Sequence, residues 1–463
     1  GHGSNVMGIE TIAVYDKVNR VFDLHTPTNS ASKFWIGGAA KHAKVCTVFA
    51  QLYTPEEGES EKLRWNGPHV FVVRLRNDDM SVVKGVRIAD CGAKMGLQGV
   101  DNGQIWFDHC KLPHDALLNR FADVDVNTGR YSSPISNIHS RFGAMIGGLT
   151  TGRFLIAAAA VDACKIGLIV TSRYACSRNQ FGSKNIIEYV THQRRIVPAI
   201  ASTYALEFGM QGLAQIMESK DKESAKLVHV LSCGLKAMAT WHRAETLQKC
   251  RECCGGMGVL AVNQIGPLLN DMNVDTTFEG DNSVILQQVA RAVLTEKGMK
   301  KNEMEETGCF TIDDVMKNSL RLLKWREDRL ATELLQGGEK MLDANLDHVV
   351  ALGIAHTERR VLELFDAKVS QCLDPIARNA LQQLVWLYGL CCVENHLEFY
   401  LARDAIVPAK DSLQIHSQIN AICAQISANN GQILLELCNG FGIPEQFITA
   451  PIAHDWTLIE SKL

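Results

Sequence analysis

The sequence changes from strand-forming to helix-forming patterns once, at about Ser140. Residues 1–115 hold strand-length runs rich in β-branched and aromatic residues, and Asn102-Gly103 is a dipeptide that favours tight turns. After Ser140, apolar residues recur at helical spacing in long segments with few Pro or Gly residues: 141–177, 189–218, 223–254 and 283–297. This order predicts an α+β fold, with antiparallel β structure followed by helical domains.

The predicted organisation has a β-rich domain at 1–128, a first helical domain at 129–298 and a second helical domain at 312–463. A charged stretch, EKGMKKNEMEETG, marks the predicted linker at 299–311. A chain of 463 residues exceeds what one ordinary hydrophobic core serves, so more than one domain is expected.

The charge balance gives no reason to expect nucleic acid or an anionic membrane as a partner. Lys and Arg total 47 against 51 Asp and Glu, a net charge of -4. The most apolar window, 154–170, contains Asp162 and Lys165 on one helical face. Charges are costly within a bilayer, so we expect a buried helix and no membrane span.

The cysteines are expected to be reduced thiols of an intracellular protein. There are fifteen, an odd number, scattered through a chain far larger than small disulfide-rich domains. Cys250, Cys253 and Cys254 form a cluster, but no second CxxC or suitably spaced His accompanies it. We therefore predict structural thiols and no metal site.

The two ends of the chain also carry information. The last three residues, Ser461-Lys462-Leu463, match the peroxisomal address that an import receptor reads. They predict the matrix of the peroxisome or of a related organelle such as the glycosome. The chain begins with GHGSN and no secretory signal, and this start allows two interpretations, a tag remnant or a missing upstream segment.

Glu279, in TTFEGDNSV at 276–284, allows two interpretations. It precedes a predicted helix that Asp281 or Asn282 can cap, and an acidic group there is favoured by the helix dipole. Alternatively, burial beside Phe278, with Gly280 leaving room, would raise the pKa of Glu279 toward that of a general base. The residues alone leave both open.

Three other stretches are ambiguous by themselves. Gly255 and Gly256, in CCGGMGVL, allow close approach of a ligand or simply end a helix. Gly37, after Trp35, fits a turn at a strand end. In SRNQFG at 177–182, Arg178 could bind phosphate and Phe181 could lie against a flat ring, but an exposed Arg and a core Phe would look the same.

Taken in order along the chain, these motifs resemble those of the acyl-CoA oxidases, within the wider acyl-CoA dehydrogenase-like group. The likeness covers most of 1–295 and continues more weakly through the C-terminal helices. It is carried by GHGSN and GIET at 1–11, SASKFWIGGAAKHA at 30–43, RIADCGAKMGLQGVDNGQIWFD at 87–108, RFGA and TTGR at 141–153, THQRRIVP at 191–198, TLQKCRECCGGMGV at 246–259 and TTFEGDN at 276–282.

The resemblance implies a reaction and a role for Glu279. Glu279 occupies the position of the family's catalytic base, which removes the α-proton of a fatty acyl-CoA while the β-hydrogen leaves as hydride to FAD. The product is an enoyl-CoA, and molecular oxygen then reoxidises the flavin and yields hydrogen peroxide. The reaction begins peroxisomal fatty-acid β-oxidation, and the terminal SKL agrees with it.

The resemblance also implies a composite FAD site in a homodimer. Trp35 and Gly37 would line the isoalloxazine, and Arg178 would meet the pyrophosphate from a neighbouring subunit. Gly255 and Gly256 would approach FAD across the dimer. The full set of implied cofactor residues is Trp35, Gly37, Arg178, Phe181, Gln193, Gly255, Gly256, Asp281 and Asn282.

The chain differs from the dehydrogenase relatives at two positions and from the family in one larger respect. The dehydrogenases usually have threonine where this chain has Gly37, and losing that side chain leaves space for oxygen. Glu252 replaces a common glutamine on the adenine side. Family members also carry an N-terminal helical domain and a Thr-Glu pair before GHGSN, so the chain is expected to lack that domain.

Two rival functions stay open at this point. One is an acyl-CoA dehydrogenase that passes electrons to a flavoprotein. The other is a non-catalytic remnant that has kept the fold. Gly37, the second helical domain and SKL favour the oxidase over the dehydrogenase.

Overall fold

The computed structural model describes residues 3–56, 59–219, 222–299, 310, 318–406 and 408–458. The chain divides into two compact units, 1–149 and 150–463, and each has its own hydrophobic core. Of the predicted linker, only residues 299 and 310 are among those described, and Ser461–Leu463 lies outside them. The predicted division of the helices into two domains therefore stays a prediction.

The first unit is built mainly of antiparallel strands, as the sequence predicted. A five-stranded sheet has the order β5-β4-β1-β2-β8, a three-stranded sheet the order β3-β7-β6, and β9 pairs with β10. All pairs are antiparallel except β1 with β4, which run parallel. The strands are β1 Ile12–Asp16, β2 Val21–His25, β3 Lys33–Gly37, β4 Val45–Glu56, β5 Glu59–Arg74, β6 Val86–Asp90, β7 Asn102–Phe107, β8 Cys110–Pro113, β9 Asp123–Val124 and β10 Tyr131–Ser132.

Alternation of apolar and polar residues places one face of the five-stranded sheet in the core. In β1 the buried residues are Ala13 and Tyr15, and in β2 they are Phe22 and Leu24. The two strands pair from Ile12 opposite His25 to Asp16 opposite Val21, around the polar turn. The stretch VYDKVNRVFDLHTP therefore forms two short strands, in agreement with the strand pattern predicted for 1–115.

The turn predicted at Asn102-Gly103 is wrong, because both residues lie in strand β7. Gly103 pairs with Ile36 of β3, and the chain beyond β3 returns closely over it. A Cβ on Gly103 would lie 2.7 Å from the backbone nitrogen of Ala40. The glycine thus serves a close backbone approach rather than a turn.

The helices agree with the predicted segments, with one added break. The segment predicted at 141–177 is two helices separated at Gly147-Gly148, the first of which lies in the first unit. The bounds are α1 Ile138–Ile146, α2 Leu149–Ser177, α3 Val190–Glu218, α4 Lys222–Cys253, α5 Ile265–Asp271, α6 Asn282–Met299, α7 Ser319–Ala344, α8 Leu346–Ser370, α9 Pro375–Asn395, α10 Leu397–Leu401 and α11 Pro408–Asn439.

Helix α2 is long and apolar enough to cross a membrane by length and composition, and it is the one such helix in the described part of the chain. Most of its apolar window is buried inside the protein. Lys165, within that window, donates to Asp162 and lies 2.8 Å from a carboxylate oxygen of Glu207 on α3. These contacts are those of a helix in the core of the second unit.

Candidate active site

Glu279 lies in a tight turn immediately before α6. Its φ is +56°, and that of Gly280 is +105°. The side chain of Asp281 accepts hydrogen bonds from the backbone N–H groups of Ser283 (3.0 Å) and Val284 (3.3 Å). Asp281 therefore caps α6. The helix start is capped without Glu279, and the φ of Glu279 is one that side-chain-bearing residues rarely adopt.

The carboxylate of Glu279 lies against helix α2 with one oxygen unsatisfied. Glu279 is half-buried, and its Oε2 is buried with no hydrogen-bond partner among the described residues. A Cβ on Gly152 would stand 2.8 Å from that Oε2 and 2.9 Å from Cδ. A buried acceptor without a partner is unusual in a folded protein. A bound ligand that donates a hydrogen bond or a proton to this oxygen would explain it. The missing side chain at Gly152 makes the space that the carboxylate fills.

Two buried cations hold the backbone of this turn. Arg153 Nε donates to the carbonyl of Glu279 (3.2 Å), and Lys236 Nζ donates to the carbonyl of Gly280 (2.7 Å). Arg153 also donates through Nη1 to Cys233 Sγ (3.2 Å). Burial lowers the pKa of Lys236 to about 8, with the nearby Asp275 acting in the opposite direction. The turn is therefore fixed from α2 and from α4.

Asn282 is buried and satisfied by the protein itself. Its Oδ1 accepts from Lys236 Nζ (2.9 Å), and its Nδ2 donates to Thr240 Oγ1 (2.9 Å) and to the carbonyl of Ala237 (3.3 Å). The structure thus brings Glu279, Asp281 and Asn282 together at one helix start. The contacts of Asn282 tie this start to α4, while its role toward a cofactor stays a prediction.

Gln193 lies near the N-terminal end of α3 and has an unsatisfied acceptor. It is buried, and its Oε1 has no hydrogen-bond partner among the described residues. Its neighbour His192 hydrogen-bonds through Nε2 to the carbonyl of Cys253 (3.2 Å), where α4 ends. The start of α3 and the glycine segment after α4 are therefore adjacent.

The glycine segment ends α4 and leaves open space beside it. Helix α4 ends at Cys253, and Gly255 has a φ of +56°. Side chains on Gly255 or Gly256 would meet nothing within 4 Å, whereas a Cβ on Gly258 would lie 2.1 Å from the carbonyl oxygen of Arg251. Gly258 is thus required by packing. The first two glycines, by contrast, leave backbone that a ligand could approach.

Arg178 and Phe181 lie in the loop that follows α2. The guanidinium carbon of Arg178 is 4.0 Å from the ring centroid of Trp456, a cation–π contact. Phe181 is 93% exposed and has a φ of +55°. The alternative that Phe181 is a core residue is therefore wrong, and its ring is available to a partner or a ligand.

Trp35 and Gly37 lie in the first unit, whereas the other predicted site residues lie in the second. Trp35 is 59% exposed, has a φ of +67°, and lies where the pairing of β3 with β7 is irregular. Gly37 ends β3, and the next residue, Gly38, has a φ of +73°. The turn expected after Trp35 is present, and it leaves the tryptophan ring exposed.

The sequence pointed to Glu279 but missed the residues that hold its turn. Lys236 is a lone charge in the apolar stretch HVLSCGLKAMATW of α4, and such a charge could have been recognised as one needing partners. Gly152 and Arg153 belong to TTGR, which supported the family resemblance but received no role. Their proximity to Glu279 depends on how α2 packs, which spacing along the chain does not reveal.

The cysteine cluster is buried and consists of free thiols. Cys250, Cys253 and Cys254 are all buried, and burial raises the pKa of Cys254 to about 12. Thiols of this kind are protonated and are poor metal ligands.

A different group of potential metal ligands lies in the first unit. Donor atoms of His25, Asp108 and His109 lie within 4.8 Å of one another. The two imidazole rings stack on each other, with their centroids 4.0 Å apart, and do not point toward a common centre.

The fold is that of solved acyl-CoA oxidases. Arabidopsis thaliana acyl-CoA oxidase 1 superposes with a TM-score of 0.84 at 28% identity, over 98% of this chain and 73% of that one. Caenorhabditis elegans acyl-CoA oxidase-1, solved with FAD and ATP, gives a TM-score of 0.84 at 24% identity, over 98% and 71%. This chain therefore has the architecture of these oxidases, an antiparallel-rich sheet region followed by helices.

Sequence comparison assigns the family. Residues 146–294 match the model for the acyl-CoA oxidase C-alpha1 domain, and 317–455 match the acyl-CoA oxidase model. The chain is 35% identical to the peroxisomal acyl-coenzyme A oxidase 3 of Arabidopsis thaliana over 495 residues, covering 98% of this chain and 70% of the relative. The chain belongs to the acyl-CoA oxidase family and is an oxidoreductase.

Proposed function

We propose that this protein oxidises fatty acyl-CoA to trans-2-enoyl-CoA and reduces molecular oxygen to hydrogen peroxide, with Glu279 as the base. The observation that carries the proposal is the Glu279 carboxylate. One of its oxygens is buried without a partner, in a turn held by Arg153 and Lys236. A carboxylate with a free oxygen fixed in this way is suited to receive a proton from a bound substrate.

The proposed proton transfer starts at the α-carbon of the substrate. The thioester acidifies that carbon, and Glu279 Oε2 takes the proton and holds it as the carboxylic acid. Gly152 leaves the space in which the carboxylate lies, and the backbone contacts from Arg153 and Lys236 keep its direction constant. Orientation of this kind lowers the barrier because little freedom is lost during the reaction.

Several predicted residues fit FAD as the cofactor. Gln193 offers a buried unsatisfied acceptor, Gly255 and Gly256 offer open backbone, and Phe181 offers an exposed ring. Arg178 would supply positive charge for the pyrophosphate. The relative from Caenorhabditis elegans was solved with FAD. When bound, FAD would take the β-hydrogen as hydride and would return the electrons to oxygen.

The remaining cofactor residues carry less support. Trp35 has a largely exposed ring that could face the isoalloxazine, and Gly37 leaves open space next to it. Asp281 caps α6 and Asn282 is satisfied internally, so their contribution to FAD binding would be indirect. We propose that both maintain the turn that carries Glu279.

We also propose a homodimer in the peroxisomal matrix. An aromatic side chain that is 93% exposed, as in Phe181, favours contact with a second subunit or with the cofactor that this subunit holds. The Arabidopsis thaliana relative is named peroxisomal, and Ser461-Lys462-Leu463 would be read by the import receptor.

Product stoichiometry tests the function and separates the rivals. The purified full-length protein is supplied with a saturated fatty acyl-CoA in air, and enoyl-CoA and peroxide are both measured. Equal amounts of the two are expected. Enoyl-CoA that forms only with an added electron acceptor would indicate a dehydrogenase, and no enoyl-CoA under either condition would favour the non-catalytic remnant.

A further inference from the structure

Lys236 is a buried cation whose contacts converge on the turn of Glu279. Its side chain has no exposed surface, although it carries an ammonium group. That ammonium donates to the carbonyl of Gly280 (2.7 Å) and to Oδ1 of Asn282 (2.9 Å). Within the part of the chain that the structure describes, no carboxylate lies within 4 Å of its Nζ. A lysine is rarely kept in such a place unless its hydrogen bonds are needed.

The turn that Lys236 contacts is conformationally unfavourable by itself. Glu279 and Gly280 both have positive φ, and Glu279 bears a side chain. Such a backbone persists when its surroundings over-determine it. Here Arg153 binds the carbonyl of Glu279, and Lys236 binds the next carbonyl and the first side chain of α6. Lys236 therefore links the turn, through the carbonyl of Gly280, to the start of α6, through the side chain of Asn282.

The side chain of Asn282, which accepts from Lys236, is also held by other residues of α4. Asn282 donates to Thr240 Oγ1 and to the carbonyl of Ala237, both on α4, the same helix as Lys236. The carbonyl of Gly280 and the amide of Asn282 are thus attached to one face of α4. If the ammonium were lost, the carbonyl of Gly280 would lose this donor and the turn could rotate.

We propose that Lys236 is a positioning residue for α-proton abstraction, which fixes the turn so that the Glu279 carboxylate stays against Gly152. The inference rests on the proposed role of Glu279. It adds a fully buried residue that acts through the backbone of the turn that carries the base. Its effect should therefore fall on the chemical step rather than on binding.

The test compares Lys236→Met with a matched buried lysine. Met keeps the length and removes the donors. Lys165→Met is the control, since Lys165 is also buried in the second unit but pairs with Asp162 and Glu207. For Lys236→Met we expect flavin content to stay normal, kcat to fall by about 100-fold or more and KM to change less than about threefold, as for a lost oriented catalytic group. Lys165→Met should keep kcat within about threefold when folded.

Two readouts are independent of turnover. An acyl-CoA analogue with sulfur at the β-position can lose its α-proton but cannot transfer a β-hydride, so exchange of that proton with D2O reports the base alone. This exchange should slow by the same factor as kcat. In the flavin-free protein, amide hydrogen exchange of the peptide 276–284 should be faster in Lys236→Met than in Lys165→Met.

The outcomes distinguish this inference from the proposed function. If Glu279→Gln turned over at the wild-type rate, the proposed function with Glu279 as the base would be contradicted, whatever the result for Lys236→Met. If Glu279→Gln is inactive and Lys236→Met keeps its kcat per bound flavin, the positioning role is overturned alone. Should Lys236→Met not fold, Lys236→Leu, which is shorter and also lacks any donor, replaces it. A normal kcat in that variant would equally overturn the role.

Discussion

The carboxylate of Glu279 occupies the space that a side chain on Gly152 would fill. A Cβ on Gly152 would lie 2.8 Å from Glu279 Oε2, well inside van der Waals contact. The neighbouring residue, Arg153, binds the backbone of Glu279. The start of α2 therefore sets both the position of the Glu279 carboxylate and the space around it.

Gly152→Ala should displace the carboxylate and slow the reaction. We expect kcat to fall by about 10- to 100-fold with little change in flavin content, because the added methyl group would take the space that the Glu279 carboxylate fills. Gly143→Ala is the control, since a Cβ at Gly143 would meet nothing within 4 Å. Steady-state kinetics per bound flavin measures the effect, and a normal kcat in Gly152→Ala would contradict it.

Arg178→Ala should weaken flavin retention more than it weakens turnover. The guanidinium stacks on Trp456 and is the charge we assign to the pyrophosphate. We expect Kd for FAD to rise by about 10-fold or more, the scale of a lost charge-assisted contact. Arg87→Ala is a matched control, since Arg87 stacks on Trp106 at 3.6 Å in the first unit. Equal flavin affinity in the wild type and Arg178→Ala would remove Arg178 from the site.

Stability should fall between neutral and mildly acidic pH because of His242. Burial lowers the pKa of His242 to about 4, from an ordinary value of 6.5. Between these values the unfolded chain binds a proton that the folded chain does not, so folding stability decreases as pH falls from about 6.5 toward 4.

Denaturant unfolding at pH 7 and pH 5 measures this loss. His242→Gln should reduce the difference between the two by roughly 1–2 kcal/mol, the linkage free energy of such a shift. The same pH dependence in His242→Gln and the wild type would show that His242 titrates normally in the folded protein.

The fold was largely predictable, because its periodicities are local. The alternation in β1 and β2 and the helical spacing in α3, α4 and α6 each arise within one segment. The turn prediction at Asn102-Gly103 was wrong because these residues pair with Gly37 and Ile36 of β3, 65 and 67 residues earlier in the chain, and this pairing overrides the local turn preference.

The site was predictable only in part, for a related reason. Asp281 could be placed as a cap because capping is local, and Glu279 drew attention by its position before the helix. Lys236, Gly152 and Arg153 reach the turn from other helices, so their part depends on tertiary packing. Neither the pattern nor the family resemblance had marked Lys236.

The most direct measurement is flavin reduction by substrate without oxygen in the wild type and in Glu279→Gln. Both proteins should retain flavin. Addition of a saturated fatty acyl-CoA should bleach the visible flavin band of the wild type within seconds, and admission of air should restore the band and produce peroxide. In Glu279→Gln bleaching should slow by about 1,000-fold or more, since an amide cannot accept the α-proton. Equally fast bleaching of both proteins would contradict the assignment of Glu279 as the base.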